Sequence, residues 1–455
     1  MDSLEGMGRR EFLKSVAVAT AALGLGAGVA RAQDTAPAAG AGGEPLKLGL
    51  IGCGGQGNVL LANALRVPDI KIVGVCDIVD ARRDETADRA GPDTEKYTEW
   101  AELLEKCPVD AVIVATPLST HAGITIAAFQ AGKHVFCEKC MAYTIDECKD
   151  MLRAQVQANK VLQIGHHLRY HPLYVHAKRA FIEKGILGDI TSVSAQWNRN
   201  GPWRREAPQG DYSKWGYPSP EELGNWRLYN KYSGGLMTEL GSHQLDAISW
   251  MLGRNPTAVC GVGGIDYWKP GSGRVPAEDQ RDVPDNVHVI YEYPGGVKVD
   301  YQSSTTNAFN IFGTQCCEIF RGTQGTLVMS HLVEGTNLKS AGWLFLEEGV
   351  QQQIWMTMAH KVDVYGHEAI HVDATVTEGP KLANQPISTL ITSEGDLKKM
   401  TYQLEMEEFL ISCRTNSIPS CDGMIGMKSA ADALLANQAM STQSRVTFDE
   451  GMYAL

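Results

Sequence analysis

The chain has 455 residues, enough for two sizeable domains with a core each. Hydrophobic residues at 44% and charged residues at 21% are ordinary for a water-soluble globular protein. A net charge of −12 argues against nucleic acid and anionic membrane surfaces as partners.

Residues 1–32 read as a targeting segment. In "GRREFLK", Arg9 and Arg10 precede Phe12, Leu13 and Lys14, an alanine-rich apolar run follows from Ser15 to Val29, and Ala30-Arg31-Ala32 makes a small-x-small cleavage site. The segment resembles a twin-arginine export signal. That resemblance implies the twin-arginine machinery as a partner, a periplasmic destination and folding before export; an uncleaved signal would serve as an anchor. The apolar run is short and small-residue-rich for a membrane span. Residues 33–45 are rich in Ala, Gly and Pro and read as a flexible arm. The eleven cysteines are odd in number and irregularly spaced. A chain folded in a reducing compartment needs no disulfide framework, so most of them read as small buried apolar residues.

Order begins at "LKLGLIG", and strand-like runs recur at "IKIVGVCD" (70–77), "DAVIVATP" (110–117) and "KHVFCEK" (133–139). Helix-like stretches over 122–132 and 145–159 separate them, which predicts a parallel α/β domain with right-handed crossovers over 46–165. Beyond it, "TSVSAQW", "NVHVIYEY" and "GVKVDYQSS" follow one another with turns between. These predict a large, mainly antiparallel sheet in an α+β domain over 166–455. Residues 198–233 are rich in Gly, Pro and Trp with little periodicity, a length of loop that is usually functional. "KSAADALLANQAM" reads as helix.

In "GLIGCGGQGNVLLANAL", Gly52, Gly54 and Gly57 stand in G-x-G-x-x-G order between a strand and a helix. Asp77 ends the next strand 20 residues after Gly57, the separation of a ribose-binding acid. The glycines permit a tight turn, approach of the backbone to a pyrophosphate and close helix packing, and the helix N-terminus favours the negative charge. The expected cofactor is therefore a nicotinamide dinucleotide. Asp77 favours NAD, with NADP the second choice because Arg82 and Arg83 lie just downstream; both arginines read better as a solvated helix face.

"FCEKCM" (136–141) poses a choice between a thiol site at Cys137 and Cys140 and a functional Lys139. A redox pair belongs before a helix and a zinc site needs two more ligands, whereas Lys139 ends a parallel strand, where open α/β sheets bind ligands. No metal is expected there, nor at His167 and His171 in "GHHLRYHP". "ATPLSTH", "AGKHVFCEK", "GHHLRYHP" and "GGLMTELGSHQLD" (234–246) together resemble the Gfo/Idh/MocA oxidoreductase family, and its glucose–fructose oxidoreductase-like members in particular, over residues 46–455.

That resemblance implies hydride transfer between a nicotinamide cofactor and a sugar or polyol. It carries over Lys139, Glu239 and His243 as catalytic, Thr116, Pro117, His121 and Glu138 as further cofactor-binding residues, and Arg169 as substrate-binding. It also implies a homo-oligomer. Two departures stand out: Cys140 replaces the family's proline and Glu239 its aspartate. From the residues alone, Glu239, His243 and Asp246 fall at i, i+4 and i+7 and share one face if the segment is helical. His243 suits a base, Lys139 can stabilise alkoxide character, and Glu239 is expected to orient the imidazole or hold a neighbouring hydroxyl.

Trp197, Trp203, Trp215 and Trp226, interleaved with Arg204, Arg205 and Arg227, read as a carbohydrate-binding loop, with Trp203, Trp226 and Asp246 as substrate contacts. Export implies a tightly bound cofactor that is restored within each catalytic cycle. A glycoside hydrolase or lyase using transient sugar oxidation is one alternative. A non-catalytic protein that retains the nucleotide is the other.

Overall fold

The computed structural model describes residues 44–309, 316–330, 341–350, 361–364, 366–372 and 401–455. The expected export signal, and the arm up to residue 43, lie outside them.

The first sheet is six-stranded and parallel in the order β3-β2-β1-β4-β5-β6. Its strands are β1 (Leu46–Ile51), β2 (Ile70–Cys76), β3 (Glu95–Tyr97), β4 (Ala111–Val114), β5 (His134–Cys137) and β6 (Leu162–Ile164). β4 and β5 are "AVIV" and "HVFC", apolar on both faces, as a sheet covered by helices on both sides requires. Helices α1 (Gly55–Ala64), α2 (Asp80–Ala90), α3 (Trp100–Lys106), α4 (His121–Gln130) and α5 (Ile145–Ala158) supply the crossovers. α5 starts on a capping box in which the Thr144 hydroxyl accepts from the Glu147 amide and the Glu147 carboxylate accepts from the Thr144 amide. The order reverses between β1 and β4, so their C-terminal ends open the crevice where such sheets bind ligands.

The second sheet is formed by β7 (Ile190–Asn198), β8 (Ala258–Gly264), β9 (Asn286–Glu292), β10 (Lys298–Ser304), β11 (Cys316–Gly322), β12 (Gly325–Ser330), β13 (Ala341–Leu346), β14 (Lys361–Val364), β15 (His367–Val372) and β16 (Val446–Thr447). These ten strands lie in the order β14-β15-β13-β12-β11-β7-β10-β9-β8-β16, with β7, β10 and β11 at the centre. β7 pairs parallel with β10, and the remaining ladders among the described strands are antiparallel. The alternation Val287, Val289, Tyr291 inward and His288, Ile290 outward in β9 (Asn286–Glu292) is the period-2 pattern of a sheet with one covered face. Helix α6 (Ser242–Leu252) lies on that inner face, with Leu245 and Ile248 fully buried in the same core as Val289, Tyr291 and Tyr301.

The packing does not divide at residue 165. α7 (Thr401–Thr415) returns to the first sheet, where Tyr402, Met406, Phe409 and Leu410 join a core with Leu48, Leu50 and Ile113. The Phe136 and Phe409 rings meet edge-on at 5.8 Å and 72°, a geometry worth about 0.5–1.5 kcal/mol beyond burial. α8 (Gly423–Thr442) contributes Met427 and Ala430 to one core and Ala433, Ala436 and Ala439 to the other, tying the two sheets together.

Candidate active site

The turn between β1 and α1 is built for close approach. Gly52 has φ +100°, and a Cβ there would come within 2.5 Å of the Ala115 carbonyl oxygen. A Cβ on Gly57 would meet the Gly52 carbonyl oxygen at 1.9 Å, so α1 can sit against the turn only with glycine at that position. Gly54, by contrast, faces open space and caps α1 without a side-chain bond, leaving amides of the first turn directed outward. Asp77 fixes the rim: its two oxygens accept from the Cys53 amide at 2.7 Å and the Val79 amide at 2.8 Å. Burial raises its pKa and these two amides oppose the rise. Open space at Gly54, outward amides and a carboxylate pinned at the end of β2 fit a dinucleotide. Gly52, Gly54, Gly57 and Asp77 would hold it, and Arg83 is committed to Asp80 and Thr98.

Thr116 and Pro117 follow β4, and the Thr116 hydroxyl accepts from that of Thr120 at 2.8 Å. His121 is buried with Nδ1 at 2.9 Å from the Cys140 carbonyl and Nε2 at 2.9 Å from that of Thr116. Burial pushes its pKa down, so the neutral ring donates to one carbonyl and abuts the other. Both nitrogens are thus turned to protein, and His121 reaches a cofactor only through the two strand ends it ties together. Glu138 is buried as well: Oε1 accepts from Gln56 at 2.8 Å and Oε2 from the Lys139 amide at 3.0 Å. Burial raises its pKa, opposed by the charge of Lys139.

Lys139 follows β5, and the Lys139–Cys140 peptide is cis. Its ammonium donates to the Glu239 carbonyl at 2.7 Å and, more weakly, to that of Thr238 at 3.5 Å. Two acceptors leave a third N–H for another partner. Cys137 and Cys140 beside it are fully buried free thiols, and burial pushes Cys140 up to about 12. Such thiols are inert, and among the described residues no group of three or more His, Cys, Asp or Glu is placed to hold a metal ion.

The Glu239–His243–Asp246 stripe is broken. Residues Met237–Gly241 form a π turn before α6, and the residue it inserts rotates Glu239 off the face of His243. Glu239 accepts from Arg227 Nε at 2.8 Å and Ser233 Oγ at 3.3 Å, so it does not orient the imidazole. Asp246 is committed differently. Both its oxygens take the Arg169 fork at 2.8 Å, with both side chains at most 9% exposed. Arg169 and Asp246 therefore join in a two-point ion pair that braces the floor of the site.

His243 sits in a pack of rings: His167 at 4.7 Å, Trp197 at 5.5 Å and His166 at 6.3 Å between centroids. The sequence reading sets aside a metal motif of His167 with His171 and singles out no role for His166, although the doublet in "GHHLRYHP" was the available signal. His166 is buried, its Nδ1 is 4.0 Å from Asp246, and burial pushes it down to about 4, with Lys139 and Arg169 adding to the fall and Asp246 opposing it. Lys139 and His243 thus flank the same neutral imidazole.

The tryptophans form no single platform. Trp197 is buried against His243, and Trp215 donates to Glu99 on the first domain at 3.2 Å. Trp203 and Trp226 are half-buried against one cluster with Tyr212, Tyr229 and Tyr232. Trp226 has the Arg227 guanidinium 4.1 Å from its ring centre. Trp203 adopts φ +58°, a conformation rare for a bulky residue, and so brings its ring to 5.9 Å from the guanidinium of Arg199.

The glycine turn and Asp77 fit a dinucleotide, and Lys139 after β5 bonds the turn that leads into His243. A family model described as "Oxidoreductase family, NAD-binding Rossmann fold" matches residues 46–166, and the GFO/IDH/MocA C-terminal domain matches residues 175–328. The chain belongs to the Gfo/Idh/MocA oxidoreductase family. Inositol 2-dehydrogenase of Salmonella typhimurium is 32% identical over 170 residues, 37% of this chain and 50% of that protein. The scyllo-inositol 2-dehydrogenase (NAD(+)) of Bacillus subtilis is 28% identical over 264 residues, 56% of this chain and 68% of that protein. The chain spans about half the length of the first of these curated relatives. The aldose-aldose oxidoreductase of Caulobacter crescentus, solved with glycerol, superposes with a TM-score of 0.65 at 19% identity. It covers 89% of this chain and all of that one, a likeness of fold.

Proposed function

We propose that the protein is an exported oxidoreductase that transfers a hydride between a tightly bound nicotinamide dinucleotide, NAD by preference, and a carbinol carbon of a sugar or polyol. The observation that carries this reading is the 2.7 Å bond from the Lys139 ammonium to the Glu239 carbonyl. It holds a cation from the cofactor domain against the turn that leads into His243. The bound nicotinamide supplies the hydride acceptor. Removing hydride from a carbinol requires its hydroxyl proton to leave. His243 takes that proton, and the remaining N–H of Lys139 stabilises the negative charge that develops on oxygen. The inositol dehydrogenases among the relatives act on polyols of this kind by name. Export rests on the Arg9-Arg10 segment and on the need to keep the cofactor where no free pool exists.

The test has two parts. Denaturing the purified protein releases a nicotinamide dinucleotide identified by mass spectrometry, and sugars or polyols that are substrates change the absorbance near 340 nm. Lys139→Ala and His243→Ala each lower the rate by about 10²- to 10⁴-fold while the dinucleotide stays bound. Glycoside cleavage with no net absorbance change would move the assignment to redox-assisted hydrolysis. Cofactor with no turnover of any kind would leave a nucleotide-retaining binding protein.

A further inference from the structure

The loop after β7 carries its arginines in two ways. Arg204 is paired with Asp279 at 2.5 Å and with Glu221, and Arg281 is paired with the same Asp279 at 2.8 Å. Arg199 and Arg205 are not paired. Among the described residues neither guanidinium makes a hydrogen bond or ion pair, and the Nε of Arg199 is buried. Arg199 lies against ring faces, its guanidinium carbon 5.7 Å from the centre of Trp197 and 5.9 Å from that of Trp203. Trp197 in turn lies against His243. The third member, Arg227, bonds Glu239, whose carbonyl holds Lys139. The three guanidiniums are close enough to feel one another. Arg227 is the main cause that pushes Arg205 down to about 10, with burial next and Arg199 after it. Burial lowers Arg199 too, with Arg227 adding to the fall. Glu239 is the carboxylate that faces the guanidiniums and Glu138 faces Lys139, so among the described residues three guanidiniums share one carboxylate.

A protein of net charge −12 has carboxylates to spare, yet leaves this cluster short of them beside its catalytic groups. A guanidinium fork matches planar oxyanions in two-point contact, which an uncharged hydroxyl cannot reproduce. We infer that Arg199, Arg205 and Arg227 form an anion subsite next to the reacting carbinol, and that the substrate is a sugar or polyol carrying an oxyanion substituent, a carboxylate or a sulfate ester. This deepens the oxidoreductase reading and rests on it.

The experiment uses the full chain with its bound cofactor and three probes: glucose, glucuronate and glucose 6-sulfate. Single-turnover reduction of the cofactor is followed near 340 nm, and binding of each probe is measured separately by calorimetry. At least one charged sugar is expected to react about 10- to 100-fold more efficiently than glucose, the size of effect that charge-assisted hydrogen bonds give. Whichever anion wins distinguishes carboxylate from sulfate. Arg199→Gln and Arg205→Gln should each reduce that preference about tenfold, and Arg199→Lys should restore part of it. Arg205 is exposed and its guanidinium has no partner among the described residues, so its variant is a test that misfolding does not obscure.

Equal use of glucose and both charged sugars overturns the subsite while leaving the oxidoreductase reading standing, as do variants that slow charged and neutral sugars by the same factor. Loss of bound dinucleotide in Arg205→Gln also overturns it, because the cluster would then grip the cofactor's phosphates. If no sugar reduces the cofactor, the oxidoreductase reading fails, and the calorimetric preference for a charged probe, with its loss in Arg205→Gln, still decides the subsite.

Discussion

The floor beneath His243 and the loop beside it treat charge in opposite ways. In the floor the buried carboxylates have partners. Arg169 and Asp246 close a two-point ion pair, and Glu318, fully buried in β11, accepts from Gln244 at 2.7 Å and from the Tyr174 hydroxyl. In the loop, Arg199 and Arg205 have aromatic neighbours or solvent in place of counter-ions. The difference teaches that burial alone does not mark a functional group. The floor's carboxylates are buried and partnered, which makes them scaffold. The loop is partly buried and unsaturated, which leaves bonding capacity for something that arrives from outside.

The floor offers the largest way to break this comparison. Removing one partner of a buried ion pair strands the other, so Asp246→Ala should cost about 3–5 kcal/mol in a denaturant titration of the holoprotein. Replacing both partners with apolar residues, Arg169→Met with Asp246→Leu, should recover most of that loss, since the pair's own net contribution is small. A loss below about 1 kcal/mol for Asp246→Ala would show that the floor is not saturated scaffold.

Glu318 sharpens the point, because its partners are neutral. Burial pushes its carboxyl up to about 7, with the Tyr174 and Gln244 hydrogen bonds pulling the other way. From the ordinary 4.5 to about 7 the folded protein therefore holds a proton that the unfolded chain has released. The contribution is fully present below the unfolded value and is lost as the pH rises through the folded one. A Glu318→Gln variant lacks that titration. The stability difference, variant minus parent, should grow in favour of the variant by about 3 kcal/mol between pH 4.5 and pH 8. Parallel profiles for the two proteins would mean that Glu318 stays ionised in the core. Gln244 also donates to the Gln196 carbonyl at 3.0 Å, so this carboxyl is part of what fixes α6, and with it His243, to the sheet.

How much of this was legible in the sequence follows from the range of each interaction. The glycine turn, Asp77 and the parallel strands rest on local spacing and apolar runs, and all are visible in the chain. The ten-stranded sheet showed through its period-2 segments. The return of Thr401–Thr415 to the first sheet gave no local sign, because Phe409 meets Phe136 across 273 residues of chain. The π turn at Met237–Gly241 defeated the i, i+4 argument for Glu239, since that argument assumes an unbroken α-helix. Arg169 and Asp246 were singled out separately. Both belong to the site, but only the fold shows that they face each other. Arg199 was missed because one arginine at a strand end is unremarkable until the rings around it and the empty space among its hydrogen bonds can be seen.

The smallest expected effect is the most discriminating. Arg199→Met keeps most of the side-chain length, removes the charge and leaves the stacking positions filled. The lost contacts to Trp197 and Trp203 are worth about 0.5–1 kcal/mol each where solvent reaches them, and somewhat more where it does not. Against this, the variant no longer buries an Nε without an acceptor, a cost of about 1–3 kcal/mol in the parent. The two terms nearly cancel, so the denaturation midpoint should move by less than the equivalent of about 1 kcal/mol. Asp246→Ala should cost several times that. A loss near 3 kcal/mol for Arg199→Met would place Arg199 with the scaffold, and its charge would then need a structural explanation in place of a ligand.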